Sequence, residues 1–124
     1  MFKDSPAFSG FAVSDIDAAR TFYADTLGLD VRDARQPGLF ELHFGDTHVM
    51  VYPKPDHVPA TYTILNLPVP DIDIAVDALV AAGVQLERYP GSPQDEKGIA
   101  RDPRGPKIAW FTDPSGNILS VLQV

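Results

Sequence analysis

The chain has 124 residues, of which 44% are hydrophobic and 10% aromatic, which suffices for one domain with a packed core. Seventeen acidic residues against ten basic ones give a net charge of −7, which disfavours nucleic acids and anionic lipids as partners. Cysteine is absent, so disulfide bonds and thiolate ligands are excluded. No apolar stretch is long enough to cross a membrane, and we expect a cytoplasmic protein.

The first half of the chain predicts one helix between short strands. Residues 8–13 form a candidate strand, and Asp15 after it is placed to cap a helix whose apolar residues recur at helical spacing until Gly28. Further strands are predicted at residues 29–31, 39–44 and 47–52. A proline-rich linker that begins at Pro53 ends this half.

The second half predicts the same order of elements. Residues 61–67 form a strand, and Asp71 caps a helix that stops at Gly83. Further strands are predicted at residues 84–89, 107–112 and 117–122. Residues 91–106 are rich in glycine, proline and charge, and a segment of that length without secondary structure is either a functional flap or a disordered bulge.

A sequence repeat predicts that one unit occurs twice. Residues 13–19, VSDIDAA, recur at residues 69–75 as VPDIDIA. A strand, an Asp cap and a helix that repeat at nearly half the chain length predict two βαβββ modules, at about residues 6–53 and 60–124. We therefore predict a single α+β domain over residues 1–124, with a ligand site between its two modules.

Several short motifs resemble the vicinal oxygen chelate superfamily, which includes glyoxalase I, bleomycin-resistance proteins and extradiol dioxygenases. The motifs are Phe22-Tyr23 and Leu27-Gly28-Leu29 after the first helix cap, and Asp113-Pro114-Ser115-Gly116-Asn117 before the last strand. The resemblance implies that the two modules pair into a pseudo-symmetric half-open barrel around one cavity. It also implies a small organic molecule as the partner in that cavity, and a homodimer.

For the enzymes of this family, the resemblance implies a divalent metal held by side chains on the first and last strands of each module. The implied positions lie seven residues before the Asp cap and four residues after the glycine of the Asp-Pro-x-Gly-Asn motif, and in this chain they hold Phe8, Ile64 and Ser120. The matching position in the first module is about Val51. None of these side chains is a usual ligand of a divalent ion, so no metal cofactor is predicted.

Nine residues are predicted to contact the ligand. Lys54 lies between two prolines that fix its backbone, Asn66 is predicted to be a buried amide in mid-strand, and Trp110 offers a flat apolar wall. Each also has a structural interpretation, such as core packing for Trp110 or a solvated loop for the charged residues of segment 91–106. The full set is Phe8, Lys54, Tyr62, Ile64, Asn66, Asp95, Arg101, Trp110 and Ser120.

The sequence leaves three functions open and assigns no catalytic residue. The first is a metal-free protein that binds or sequesters a small organic molecule in the cavity. The second is a metal-dependent lyase, isomerase or dioxygenase with an altered metal site that recruits Glu41, His43 or His48. A surface pair is the simpler interpretation of Glu41 and His43, because residues two apart share one face of a strand. The third is a structural or interaction role.

Overall fold

Seven strands in two sheets and two α-helices make up the chain. The computed structural model describes residues 1–124 and divides them into two compact units, Met1–His57 and Val58–Val124. Because each unit combines a helix with a sheet of parallel and antiparallel strands, the predicted α+β class is confirmed. A helix suited to crossing a membrane is not among these elements.

The first unit contains β1 (Ser9–Val13), α1 (Ile16–Thr21), a π-helical turn (Phe22–Thr26), β2 (Asp30–Asp33), β3 (Phe40–Phe44) and β4 (Thr47–Pro53). Its strand order is β1-β4-β3-β2, with β1 parallel to β4 and the other neighbours antiparallel. The helical segment covers one face, where the Tyr23 ring lies 5.8 Å from Phe11 and 6.4 Å from Phe40 between centroids. We call the opposite face, which no helix of this unit covers, the helix-free face of the first sheet.

The second unit contains β5 (Thr63–Pro68), α2 (Ile72–Ala81), β6 (Lys107–Thr112) and β7 (Ile118–Gln123). Its strand order is β5-β7-β6, with β5 parallel and β6 antiparallel to β7. Gln123 Oε1 accepts a hydrogen bond of 2.9 Å from the Ile72 backbone N–H, so Gln123 lies on the helix side of the sheet. Because side chains alternate along a strand, Leu119 and Val121 share that buried side, whereas Ser120 lies on the opposite, helix-free face.

Both predicted helix caps are confirmed. Asp15 Oδ1 accepts hydrogen bonds from the backbone N–H groups of Asp17 and Ala18, at 3.1 and 3.0 Å. Asp71 Oδ1 accepts one from the Ile74 backbone N–H at 3.1 Å. Each cap satisfies donors that the first turn of a helix cannot pair internally.

The first helix differs from its prediction in its last turn. The α-helical part ends at Thr21, and the Leu27 backbone N–H donates to the Phe22 carbonyl at 2.9 Å, which is the wider spacing of a π-helix. Gly28 ends the helical segment as predicted, in the left-handed conformation with φ 68°. The predicted strand at residues 29–31 is displaced by this turn and lies at Asp30–Asp33.

The predicted strand at residues 84–89 is wrong. One backbone hydrogen bond, from Glu87 N–H to the Trp110 carbonyl at 2.8 Å, joins this segment to β6. On its other side the Gln94 side chain takes the place of a strand, because its amide donates to the Glu87 carbonyl and accepts from the Tyr89 N–H, both at 2.9 Å. Both backbone groups of Glu87 and the Tyr89 N–H are therefore satisfied without a regular strand ladder.

Residues 91–106 are packed against the body of the second unit. Ile99 is fully buried, and Ala100 exchanges two backbone hydrogen bonds with Ile108 of β6, at 2.8 and 3.1 Å. The expectation of a disordered bulge is therefore wrong. The role of the segment as a flap stays a prediction.

Candidate functional site

Three side chains of the predicted site form a row across the helix-free face of the second sheet. The strand register places Asn66 of β5 and Trp110 of β6 on either side of Ser120 of β7. Ser120 is fully buried, and its hydroxyl donates to Asn66 Oδ1 at 2.6 Å. Asn66 itself is exposed, so the predicted burial of its amide is wrong. It is exposed because β5 is an edge strand, which has a neighbouring strand on one side only.

An aromatic pocket of about 230 Å³ includes one end of this row. Its walls are formed by Thr61, Tyr62, Thr63, Tyr89, Trp110 and Ile118. Tyr89 meets Trp110 edge to face, with ring centroids 5.4 Å apart, and Tyr62 leaves 69% of its surface exposed at the mouth. Burial, with a smaller contribution from the charge of Glu87, raises the pKa of the Tyr89 phenol. Its hydroxyl is therefore protonated at neutral pH and is a potential hydrogen-bond donor.

Two predicted contact residues, Asp95 and Arg101, lie on the helix side of the second sheet and not at the aromatic pocket. Arg101 Nε donates to Asp95 Oδ2 at 2.9 Å, and Arg101 Nη2 donates to Asp73 Oδ1 of α2 at 2.7 Å. Asp95 Oδ1 also accepts from the backbone N–H groups of Lys97 and Ile99, both at 2.9 Å. These contacts fasten the 91–106 segment to α2.

This arrangement makes the contribution of Asp95 to stability depend on pH. Burial would raise the pKa of Asp95, but the hydrogen bonds from Arg101 and from the Ile99 and Lys97 backbone outweigh it and hold the pKa below the ordinary value of 3.8. A lowered pKa means that stability is present above the unfolded pKa and is lost as pH falls through the folded one. We expect Asp95→Asn to have a lower melting temperature than wild type at pH 7. The difference between the two melting temperatures should disappear as the pH falls below about 3.8.

Thermal unfolding followed by circular dichroism between pH 7 and pH 2 measures this gap. Asp46→Asn is the matched control, because Asp46 lies exposed in the turn between β3 and β4 and its replacement should change stability little at any pH. A gap for Asp95→Asn that stays constant with pH would contradict the prediction.

The remaining predicted residues are dispersed. Phe8 is 52% exposed and stacks on His48, with ring centroids 4.5 Å apart. Lys54 follows β4 and forms an exposed ion pair with Asp56, at 2.6 Å between Nζ and Oδ1. Ile64 is half-buried in β5, where the register with β7 shifts. Contact of these residues with a ligand stays a prediction.

Glu41, His43 and His48, the residues considered for an altered metal site, lie close together on the helix-free face of the first sheet. Glu41 Oε1 lies 2.8 Å from His43 Nε2, and Glu41 Oε2 lies 4.0 Å from His48 Nε2. The two imidazole rings are stacked with centroids 5.5 Å apart. The signal that would have found this cluster is the two-residue turn at residues 45–46, which sets His43 opposite His48 in the β3–β4 hairpin.

The positions that the resemblance implies for a metal do not fit one. Val51 is fully buried in the core of the first unit, and the Ser120 hydroxyl is engaged by Asn66. Phe8 and Ile64 carry no donor atom in their side chains. No group of three or more His, Asp or Glu side chains in residues 1–124 is arranged to hold a metal ion.

Comparison with known proteins decides the family. The model of the Glyoxalase/Bleomycin resistance protein/Dioxygenase superfamily matches residues 7–121. The chain belongs to this superfamily. The match covers nearly the whole chain, so it includes both units and confirms the resemblance drawn from the motifs. Comparison with curated proteins gave no significant match.

Solved structures show how the superfamily fold recurs. An antibiotic binding protein, TnmS3 from Streptomyces sp. CB03234, is 25% identical with 94% of both chains covered and a TM-score of 0.65. A superfamily member from Sphaerobacter thermophilus is 23% identical, with 95% of this chain and 97% of that chain covered and a TM-score of 0.70. Lactoylglutathione lyase from Agrobacterium tumefaciens is 22% identical, with 98% and 96% covered and a TM-score of 0.68. The last two likenesses show the fold alone.

Proposed function

We propose that this superfamily member binds or sequesters a small aromatic molecule without a metal ion. The observation that carries the proposal is the aromatic pocket of the second unit, where Tyr62, Tyr89 and Trp110 surround an open space. Rings of this kind stabilise a planar ligand by stacking and by burial of apolar surface. The similarity to an antibiotic binding protein at 25% identity supports a binding role.

The size and polarity of the pocket limit the kind of ligand that it can hold. Its volume of about 230 Å³ is below the roughly 300–1,000 Å³ of pockets that enclose drug-sized molecules. We therefore expect it to hold one ring system, with the rest of a larger ligand outside. The hydroxyls of Thr61, Thr63 and Tyr89 supply hydrogen bonds that orient the ring.

Metal independence is proposed because the implied ligand positions carry Phe8, Val51, Ile64 and Ser120. The alternative, a metal-dependent lyase, isomerase or dioxygenase, is favoured by one observation, the proximity of Glu41 to two histidines. Elemental analysis of protein purified without chelators separates the two. Stoichiometric transition metal that is lost in a Glu41→Ala variant would favour the alternative and refute metal independence.

We also propose that the protein is a cytoplasmic homodimer and that residues 1–124 form one domain. Strands β1, β2 and β5 stand at sheet edges, whereas the outer edge of β6 bonds to Glu87 and Ala100. Exposed strand edges favour association with a second copy. Light scattering coupled to size-exclusion chromatography gives the mass in solution. A monomer mass at micromolar concentration would refute the dimer.

Binding at the aromatic pocket is directly measurable, because Trp110 is the sole tryptophan of the chain and lines the pocket. Titration with small aromatic compounds, starting with quinoline, should change its fluorescence in a saturable way. Tyr62→Ala should weaken binding about tenfold, because an aromatic pair contributes roughly 0.5–1.5 kcal/mol beyond burial and about 1.4 kcal/mol is tenfold in affinity.

Tyr52→Ala is the matched control, because Tyr52 is also an exposed tyrosine but lies in β4 of the first unit. It should leave the dissociation constant unchanged. Equal effects of Tyr62→Ala and Tyr52→Ala, or no saturable change in Trp110 fluorescence with any ring compound, would contradict the proposed pocket.

A further inference from the structure

An open groove of about 500 Å³ lies between α2 and the segment that follows it in the second unit. One wall is α2, where Val76 and Val80 are four residues apart and so lie on the same face of the helix. The following segment forms the other wall and contributes the apolar side chains of Val84 and Leu86. We call this space the outer groove. Its volume is within the roughly 300–1,000 Å³ of small-molecule sites, and it shares no lining residue with the aromatic pocket.

The floor of the outer groove is apolar and partly open to water. Val76 and Val84 are 1% and 8% exposed, so their side chains belong to the core of the second unit. Val80, by contrast, leaves 59% of its surface exposed. A ligand with an aliphatic chain would remove this apolar surface from water, which is favourable.

The outer groove carries one cation that no carboxylate neutralises. Arg88 Nη1 and Nη2 donate to the backbone carbonyls of Asp95 and Glu96, which hold the guanidinium in place. These carbonyls carry no net charge, and Arg88 forms no ion pair within residues 1–124. Because an arginine has five N–H donors, three of them stay free to bind the carboxylate of a ligand.

A carboxylate without a cationic partner lies on the same wall as this guanidinium. Glu96 lines the outer groove, and its side chain forms no ion pair or hydrogen bond within residues 1–124. The other cation of the groove, Lys97, is already held by Asp73 and Asp77, at 3.4 and 3.1 Å from its Nζ. The groove therefore presents one unneutralised charge of each sign, Arg88 and Glu96, beside its apolar floor.

The C-terminal end of α2 adds to the attraction for a cation. Val80 lies in the last turn of this helix, where the helix dipole places a partial negative charge, and that turn contains no basic residue. Asp77, a further negative charge near the same end, has Lys97 as its ion-pair partner. A positively charged group of a ligand is therefore stabilised at this end of the outer groove.

We propose that the outer groove is a second ligand site, one that binds a free aliphatic amino acid. The carboxylate of the amino acid accepts hydrogen bonds from Arg88, its ammonium group pairs with Glu96, and its side chain covers Val80. The ligand is a zwitterion because a ligand with one charge would leave either Arg88 or Glu96 unmatched. This site is separate from the aromatic pocket and does not depend on the function proposed there.

Isothermal titration calorimetry at neutral pH compares leucine with three analogues that each lack one of its groups. Glycine lacks the aliphatic side chain and should bind about tenfold more weakly, because it leaves the apolar floor of the groove in water. N-acetylleucine lacks the ammonium group and leucinamide lacks the carboxylate. Each of these two should bind about threefold more weakly than leucine, because each loses one exposed ion pair.

Two variants test the protein side of the same contacts. Glu96→Gln should weaken leucine binding about threefold and leave N-acetylleucine binding unchanged, because N-acetylleucine has no ammonium group for Glu96 to pair with. Asp46→Asn, which removes the same charge from an exposed turn of the first unit, should change neither. Val80→Ser should weaken leucine binding about threefold. Ile74→Ser is its control, because Ile74 is exposed on α2 but does not line the groove.

The proposal is overturned if leucine shows no saturable binding, if any of the three analogues binds as tightly as leucine, or if Asp46→Asn loses as much affinity as Glu96→Gln. Saturating quinoline should leave the dissociation constant of leucine unchanged. Displacement of leucine by quinoline would mean that leucine occupies the aromatic pocket, which also overturns the proposal. Circular dichroism of each variant shows that it is folded.

Discussion

Replacement of Asp113 by alanine is expected to lower the free energy of unfolding by about 3 kcal/mol. Asp113 is 4% exposed and closes the turn before β7. Its Oδ1 accepts from the Ser115 and Asn117 backbone N–H groups, both at 2.9 Å, and its Oδ2 accepts from Asn117 Nδ2 at 3.0 Å. Removal of the carboxylate leaves these donors without their acceptor, two of them in buried surroundings, where an unsatisfied group costs roughly 1–3 kcal/mol.

Asp102→Ala is the matched control for this prediction. Asp102 also accepts from a backbone N–H two residues later, that of Arg104 at 2.9 Å, but does so on the exposed surface. Its loss should cost less than about 0.5 kcal/mol, because water replaces the carboxylate. Urea denaturation followed by circular dichroism compares the two, and similar losses would show that the Asp113 turn is not held as described.

Gln94→Glu is expected to destabilise the protein by about 3 kcal/mol although the two side chains have nearly the same shape. The Gln94 amide nitrogen donates to the carbonyls of Glu87 and Gly98, at 2.9 and 2.7 Å. In Gln94→Glu, a carboxylate oxygen, which only accepts hydrogen bonds, would face these two carbonyl oxygens, which also only accept. The new negative charge would also be partly buried. Gln94→Ala, which removes the bonds without adding a charge, should cost less, about 2 kcal/mol.

Gln85→Glu adds the same charge at an exposed position of the same unit and should change stability by less than about 0.5 kcal/mol. The loss in Gln94→Glu should also diminish in acid, because a protonated carboxyl regains one donor. Urea denaturation at pH 7 and pH 4 measures both effects. Equal stabilities of the two variants at pH 7 would refute the bridging role of Gln94.

Helix boundaries were predictable because their causes are local. Asp15 and Asp71 bond to backbone groups two or three residues away, and Gly28 needs only its own left-handed conformation. The strand prediction at residues 84–89 failed for a reason that lies outside the segment. Its alternating pattern is that of a strand, but the hydrogen-bond partner on one side is the Gln94 side chain, which no local pattern identifies.

The candidate sites were predictable in part. Alternation along β6 and β7 predicts that Trp110 and Ser120 face the same side of their strands, and the register confirms it. Asn66 was misjudged because its exposure follows from the edge position of β5, which depends on sheet order. The pairing of Glu41 with His43 followed from their two-residue spacing, whereas the ring stack with Phe8 needed the parallel pairing of β1 and β4.

The π-helical turn at Phe22–Thr26 determines where the chain can change in length. In a regular helix each residue turns the chain by about 100°, so loss of one residue would rotate every later side chain away from its neighbour. A turn closed by a bond from residue 27 to residue 22 already contains one residue more than a regular turn. Shortening by one residue there would restore the regular repeat and keep both flanking segments in phase, which makes this turn the natural position for evolutionary insertion and deletion in the first unit.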